Sequence, residues 1–364
     1  MKPVILIGAG CPQSLADVLC SLGVPVLVSW QGIDLVPEDS PVFCGRPGVV
    51  GQRAANIIQQ KCDVLYIFGA RMDGEQVGHR IDKFAPRAHK FVWDVDPAEL
   101  DKLPTDWTII QQDLTHEFQI PPVQSSWEWL AWCKALYNEW RYELDGSNQV
   151  EDFVDPYYFI NALSKVCEEG EVIVPGSSGM QSCALMQAFK VKRNQRILLC
   201  NTTGAMGMEP MAIGAAIASK QRVICVTGDG GFFMNMQELE TVKRMNLNIK
   251  FFVFCNSGYG SITTMQDARF NLRVGGDSQS GFTLPDLARV AAVWDFPYYK
   301  INNNLDCDLL AGILESPRAA IVRVNTTLAF RYATKVNSSL VNGQFVNDEM
   351  ENMTPKIDIE RIMK

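Results

Sequence analysis

The sequence Gly228-Asp229-Gly230-Gly231 is followed, 27 residues after its aspartate, by Asn256 in Cys255-Asn256-Ser257-Gly258-Tyr259-Gly260. A carboxylate, a side-chain amide oxygen and a glycine carbonyl are hard oxygen donors. Mg²⁺ takes such ligands in an octahedron and commonly shares them with phosphate oxygens. Asp229, Asn256 and the Gly258 carbonyl would supply part of that shell, and a diphosphate and a water the remainder. Gly230 and Gly231 have no Cβ, so their N–H groups can approach anionic oxygens closely.

Two apolar runs must hold these residues. Val223–Thr227 ends just before Gly228, and Ile249–Cys255 ends just before Asn256. Between them Asn235–Met245 has a helical period, with Met236, Leu239, Val242 and Met245 on one stripe. That helix is expected to turn its positive end toward the glycines. The methionines Met234, Met236 and Met245 are expected in the core. A strand-helix-strand crossover leaves both strands parallel. If they are neighbours, Asp229 and Asn256 meet at the carboxyl end of the sheet, where open α/β sheets bind ligands.

The same alternation runs through most of the chain. Strands are expected at Val4–Ile7, Val26–Val28, Val64–Phe68, Phe91–Trp93, Val172–Val174, Arg196–Leu199 and Ala320–Val324, with helical patterns between them. The fold class is therefore α/β, with two doubly wound, mainly parallel sheets. Pro121-Pro122, an expected aromatic-rich helix at Trp127–Trp140 and the polar stretch Gly146–Glu151 interrupt the alternation. The expected domains are 1–120 and 156–330, joined by a linker at 121–155 and followed by a surface tail at 331–364.

Composition removes several function classes. Hydrophobic residues make up 47% and charged residues 20%, enough for packed cores. The net charge of −8, with no basic run, argues against a nucleic-acid partner. No apolar stretch approaches the roughly 20 residues of a membrane span. Eleven cysteines without a CxxC pair fit free thiols in a reducing cytoplasm. The histidines at 79, 89 and 116 have no metal-ligand spacing.

The segment Gly228 to Ile262, including Met234-Asn235-Met236-Gln237-Glu238-Leu239, resembles the thiamine diphosphate enzymes, and among them acetolactate synthase large subunits. Gly45-Arg46-Pro47-Gly48, Gly51-Gln52-Arg53-Ala54-Ala55-Asn56, Asp155-Pro156-Tyr157-Tyr158-Phe159-Ile160 and Gln187-Ala188-Phe189-Lys190-Val191 resemble the acetolactate-synthase-like branch of polysaccharide and unusual-sugar pathways. The resemblance implies that Asp229, Asn256 and the Gly258 carbonyl bind Mg²⁺. It implies that Gly176, Ser177, Ser178, Gly228, Gly230, Gly231, Gly260 and Ser261 touch thiamine diphosphate, and that Met206 in Gly204-Ala205-Met206-Gly207 is the apolar wedge beneath it. Cys255 stands where the family has a second asparagine.

The first domain resembles the family's DHS-like central domain, which binds FAD in acetolactate synthases. The matching positions are Gly8, Gly10, Gly48, Gly69, Arg71, Asp73, Asp94 and Asp113. Gly8-Ala9-Gly10 by itself reads equally as a tight turn, since Gln13 stands where a dinucleotide fingerprint has its third glycine. Ser177 and Ser178 also suit helix capping, and Met206 suits core packing. Family members carry a pyrimidine-binding domain before the central one, with the glutamate that activates the cofactor. No catalytic residue is expected in this chain. The implied function is a carboligase or decarboxylase, a transferase or lyase acting on pyruvate or another 2-oxo acid, in a homo- or hetero-oligomer with a pyrimidine-binding domain. The alternatives are a catalytically silent, cofactor-binding or regulatory half-chain, and a flavin- or NAD-binding module.

Overall fold

The computed structural model describes residues 1–116, 123, 125–142, 152–176, 179–200, 205–358 and 362. The chain divides into two compact units, Met1–Arg141 with Tyr332–Lys364, and Tyr142–Arg331.

In the first unit the strands are β1 (Pro3–Ile7), β2 (Val26–Val28), β3 (Val64–Phe68), β4 (His89–Asp94) and β5 (Thr108–Gln111). They form a parallel sheet in the order β2-β1-β3-β4-β5. β1 and β2 are buried throughout, as expected of parallel strands covered on both faces. The edge strand β5 alternates between half-buried and exposed residues, a weak pattern that the sequence reading passed over.

Trp127–Trp140, expected within the linker, is a helix of this unit. Ser126 caps it by accepting a hydrogen bond from the Trp129 N–H at 3.3 Å. Trp129, Cys133, Leu136 and Tyr137 enter the core, and the Trp129 indole donates to the Pro3 carbonyl at 2.9 Å. The segment after Arg331, expected as a surface tail, also returns to this unit. It contains β12 (Lys335–Val336), β13 (Ser338–Val341), β14 (Gln344–Asn347) and β15 (Met353–Thr354), paired β12 with β15 and β13 with β14.

The helix Arg53–Lys61 explains that return. It reads as a polar helix, yet every residue in it is buried. The Asn56 amide donates to the Met350 carbonyl at 3.0 Å, and Arg53 donates to the Pro355 carbonyl at 2.6 Å. Arg53, Asn56 and Lys61 can be buried because carbonyls of the C-terminal segment accept from them.

In the second unit the strands are β6 (Val172–Pro175), β7 (Arg196–Ile197), β8 (Val223–Gly228), β9 (Ile249–Cys255), β10 (Tyr298–Ile301) and β11 (Ala320–Asn325). All are parallel, in the order β10-β11-β9-β8-β6-β7. The order reverses beside β6: the chain crosses from β6 to β7 on one side, then to β8 on the other. The corresponding reversal in the first unit lies between β1 and β3. Both are switch points, where a crevice can open beyond the strand ends. Among the described residues no helix is long and apolar enough to cross a membrane.

The expected helix Asn235–Met245 is not continuous. A short helix, Asp229–Phe232, follows β8 directly, then a 3₁₀ turn at Met236–Glu238 and a helix at Leu239–Arg244. Leu239 and Val242 are buried and Met236 is half-buried against the core, but Met234 and Met245 are exposed. The 3₁₀ turn changes the helical period at Met236–Glu238, and Met245 lies past the last helical residue, so the stripe does not continue to its ends.

Candidate active site at the end of the second sheet

β8 and β9 are neighbours in register, with Gly228 opposite Phe254, and their ends carry Asp229 and Asn256 to one place. The Asp229 side chain is buried. Its Oδ1 accepts from the Gly230 N–H at 2.8 Å; its Oδ2 accepts from the N–H groups of Asn256 at 3.0 Å and Ser257 at 2.8 Å. The carboxylate thus ties the ends of β8 and β9 together. Burial pushes its pKa up to about 6, against the downward pull of those three N–H groups and of Arg323. A carboxylate held at this cost wants a cation.

The turn after β9 presents the next donors. The Asn256 Oδ1 accepts from the Gly258 N–H at 3.0 Å, around Ser257 in the left-handed region at φ 60°. Gly258 then bridges to Asp277, and the Tyr259 N–H donates to the Gly276 carbonyl at 2.8 Å. Among the described residues no three His, Cys, Asp or Glu side chains gather as a metal site. A cation here would have to use one carboxylate with amide and carbonyl oxygens, the set that Asp229, Asn256 and Gly258 offer.

A cavity of about 220 Å³ opens beside this turn. Asp229, Asn256 and Gly258 line it, together with Gly176, Met206, Gly228, Gly230, Gly231, Gly260 and Ser261. Ser177 and Ser178 lie outside the described residues, as does Gly204. The helices Met180–Ala188 and Gly260–Phe270 both begin at the cavity wall, where helix N-termini favour an anion. A Cβ on Gly230 would stand 2.4 Å from the Tyr259 ring, which itself packs on Phe282 with centroids 4.1 Å apart. The Gly207 carbonyl beside Met206 accepts from the Asn235 amide at 2.9 Å.

Among the lining residues that the sequence does not mark are two polar ones, Gln181 and Thr227. A Cβ on Gly228 would lie 3.3 Å from the Gln181 amide nitrogen. The Thr227 hydroxyl oxygen lies 2.7 Å from Glu209 Oε1, within hydrogen-bond distance. Gln181 sits in an ordinary helix start and Thr227 closes an apolar strand, so neither carries a signal in the sequence.

The flavin-matching positions of the first unit have a different character. A Cβ on Gly8 would meet the Ala70 Cα at 2.3 Å and the Gly69 carbonyl at 2.4 Å. The Gly10 N–H donates to that same carbonyl at 2.8 Å. Gly48 exchanges hydrogen bonds with the Asn56 amide. Asp73 caps the helix Gly74–Val77, and Asp94 accepts from the Asp96 N–H. Asp113 accepts from Thr115, and Arg71 pairs with Glu99 at 3.0 Å.

Comparison with known proteins agrees with both units. Residues 1–116 match the thiamine pyrophosphate enzyme central domain, and residues 177–324 match the thiamine pyrophosphate enzyme C-terminal TPP-binding domain. The isozyme 2 large subunit of Escherichia coli acetolactate synthase is 30% identical over 286 residues, 75% of this chain and 50% of that protein. The isozyme 1 large subunit is 26% identical over 357 residues, covering 95% and 62%. The chloroplastic acetolactate synthase 2 of Zea mays is 28% identical over 335 residues, covering 87% and 52%. The chain spans about half the length of most of these relatives. With both of its units matched, this chain belongs to the thiamine pyrophosphate enzyme family and is acetolactate-synthase-like over most of its length.

Proposed function

We propose that this chain is the diphosphate- and metal-binding part of an acetolactate-synthase-like carboligase or decarboxylase acting on pyruvate or another 2-oxo acid. The observation that carries the reading is the buried Asp229 carboxylate, facing a cavity beside the oxygens of Asn256 and Gly258. In this reading those three hold Mg²⁺. Gly176, Gly228, Gly230, Gly231, Gly260 and Ser261, with Ser177 and Ser178, surround the diphosphate of thiamine diphosphate, and Met206 supports the cofactor from below. Bound thiamine diphosphate supplies an electron sink that lets a 2-oxo acid lose CO₂ and pass its acyl unit to a second carbonyl. The protein's part is to fix the diphosphate, exclude water with Met206 and Tyr259, and keep the metal loop in register.

The activating acid comes from a pyrimidine-binding domain of a partner in an oligomer. In support, the described lining of the cavity has one carboxylate, Asp229, and no histidine or lysine. None of the eleven cysteines is joined in a disulfide, which fits a reducing cytoplasm. The flavin-matching residues of the first unit lack comparable support, because each already serves an internal contact.

Calorimetry with thiamine diphosphate, with and without Mg²⁺, tests the binding reading. We expect one site that requires the metal, and absence of binding would overturn it. A pyruvate decarboxylation assay tests the partner clause. A missing general acid/base is worth about 10²–10⁴ in rate, so the chain alone should be slow and a pyrimidine-binding chain should restore turnover. Brisk CO₂ release without that chain would overturn the clause. No release with it would favour the catalytically silent alternative.

A further inference from the structure

Glu209 is an acid that the reading above leaves without work. It opens the helix Glu209–Ser219, directly after the Ala205–Gly207 wall of the cavity, and its side chain is 3% exposed. Oε1 lies 2.7 Å from the Thr227 hydroxyl oxygen. Oε2 has no hydrogen-bond partner among the described residues. Burial raises its pKa, against the smaller downward pull of the Thr227 hydroxyl and of its own backbone N–H, and no cation is among the causes. The thiol of Cys225, on the same face of β8, is itself buried and held neutral. An ionised carboxylate with one bare oxygen in such surroundings is costly; a neutral acid is much less so.

The protonation state decides which way the hydrogen bond runs. A carboxylate can only accept, which fixes the Thr227 proton on Glu209. A neutral acid can donate through Oε1, and Thr227 then accepts. Heavy-atom positions fit both directions. In the second arrangement the other acceptor for the Thr227 proton among the described residues is the Gly228 carbonyl at 3.4 Å, a long contact. The Thr227 oxygen stands where the glycines of the cavity leave room. A Cβ on Gly231 would lie 3.4 Å from it and one on Gly176 would lie 3.6 Å away. Its proton is therefore available to an anionic oxygen entering the cavity.

We propose that Glu209 is a positioning residue: as a neutral acid it donates to Thr227 and so turns the threonine proton toward the diphosphate. This rests on the diphosphate reading above. It assigns to an acid behind the cavity wall a role that is neither metal ligation nor proton transfer to substrate.

The test is calorimetry with thiamine diphosphate at saturating Mg²⁺, beside thermal melts. Glu209→Leu should bind about tenfold more weakly, the scale of one lost hydrogen bond, with its melting point kept or raised. Glu209→Gln keeps a donor for Thr227 and should bind within about twofold of the parent. Thr227→Val should lose as much as Glu209→Leu, and the double variant no more than either, because the two act as one unit. Parental affinity in Glu209→Leu would overturn the inference, as would full additivity, or a loss in Glu209→Gln equal to that in Glu209→Leu. If Glu209→Leu does not fold, Thr227→Val against Glu209→Gln carries the same decision. A parent chain that binds no thiamine diphosphate would instead fail the function reading, before any variant is made.

Discussion

Each sheet has one switch point, and each switch point is rich in glycine, yet the two are built for opposite ends. In the first unit, Gly8 after β1 and Gly69 after β3 bring backbone against backbone, leaving no room for even one extra carbon. Its carboxylates Asp73, Asp94 and Asp113 are exposed or half-buried, and Thr115 holds Asp113 below the usual range. In the second unit, the glycines after β6 and β8 line a cavity, and burial drives its carboxylate upward. Glycine at a strand end therefore does not by itself mark a ligand site. A cavity and a buried charge lacking a counter-ion do.

The largest expected effect separates the two regions through their acids. Asp229→Ala should weaken Mg²⁺-dependent thiamine diphosphate binding by at least about 100-fold, since it removes a direct metal ligand rather than one of its supports. Asp94→Ala in the first unit should leave that binding unchanged. Calorimetry on both variants decides it. Parental affinity in Asp229→Ala would remove the distinction altogether.

Gly230→Ala should come next, at about tenfold weaker binding. The new methyl meets the Tyr259 ring, a movable side chain, so the ring shifts toward the cavity and the fold survives. A melting point near the parent's, together with weakened binding, is the expected pair of readings. A collapsed melting point with normal affinity would make this turn as structural as that of the first unit.

How much of this could be read in advance depended on distance along the chain. The β8 and β9 runs are apolar and each ends on its functional residue, so Asp229 and Asn256 were legible as a pair. Met206 and Gly176 followed from the family resemblance, and the structure puts both on the cavity. The Arg53–Lys61 helix was legible as a helix but not as buried, because its partners lie roughly 300 residues on, in a segment with no pattern of its own. The Trp127–Trp140 helix was legible as a helix, but its packing was not, for the same reason: its contact with Pro3 is a tertiary fact. Glu209 and Thr227 looked like a helix start and a strand end, and only their approach gives them meaning.

The pH response should sharpen the contrast between buried and solvated carboxylates. Asp229 has a folded pKa raised from 3.8 to about 6. The folded protein then holds a proton that the unfolded chain has released, so this group's contribution is fully present below 3.8 and is lost as pH rises through about 6. Metal-free protein should therefore gain stability from this group as pH falls through that window, and Asp229→Asn should lack the gain. Melts of both proteins across the window, without Mg²⁺, measure the difference. Parallel curves would show that the carboxylate is better solvated than its burial suggests. Asp113→Asn should shift the opposite way, because its folded pKa is lowered and its contribution fades as pH falls.

The smallest expected effect is that of FAD on the first unit. If Gly8 and Gly69 are glycines because two backbones touch, Gly8→Ala damages folding, and a ligand has nothing to do with it. The Cβ would sit 2.3 Å from a backbone carbon, and no flexible side chain is there to give way. Overpacking of that kind costs about 1–3 kcal/mol or more, equivalent to several degrees in melting temperature at about 2–4 °C per kcal/mol. Added FAD should leave the parent's melting point unmoved, because a ligand that does not bind the native state cannot stabilise it. The Gly8→Ala deficit should likewise be the same with and without FAD. A flavin retained through gel filtration, or a parent melting point that climbs with FAD concentration, would show that a crevice opens at this switch point too. The contrast between the two sheets would then lie in which ligand each takes.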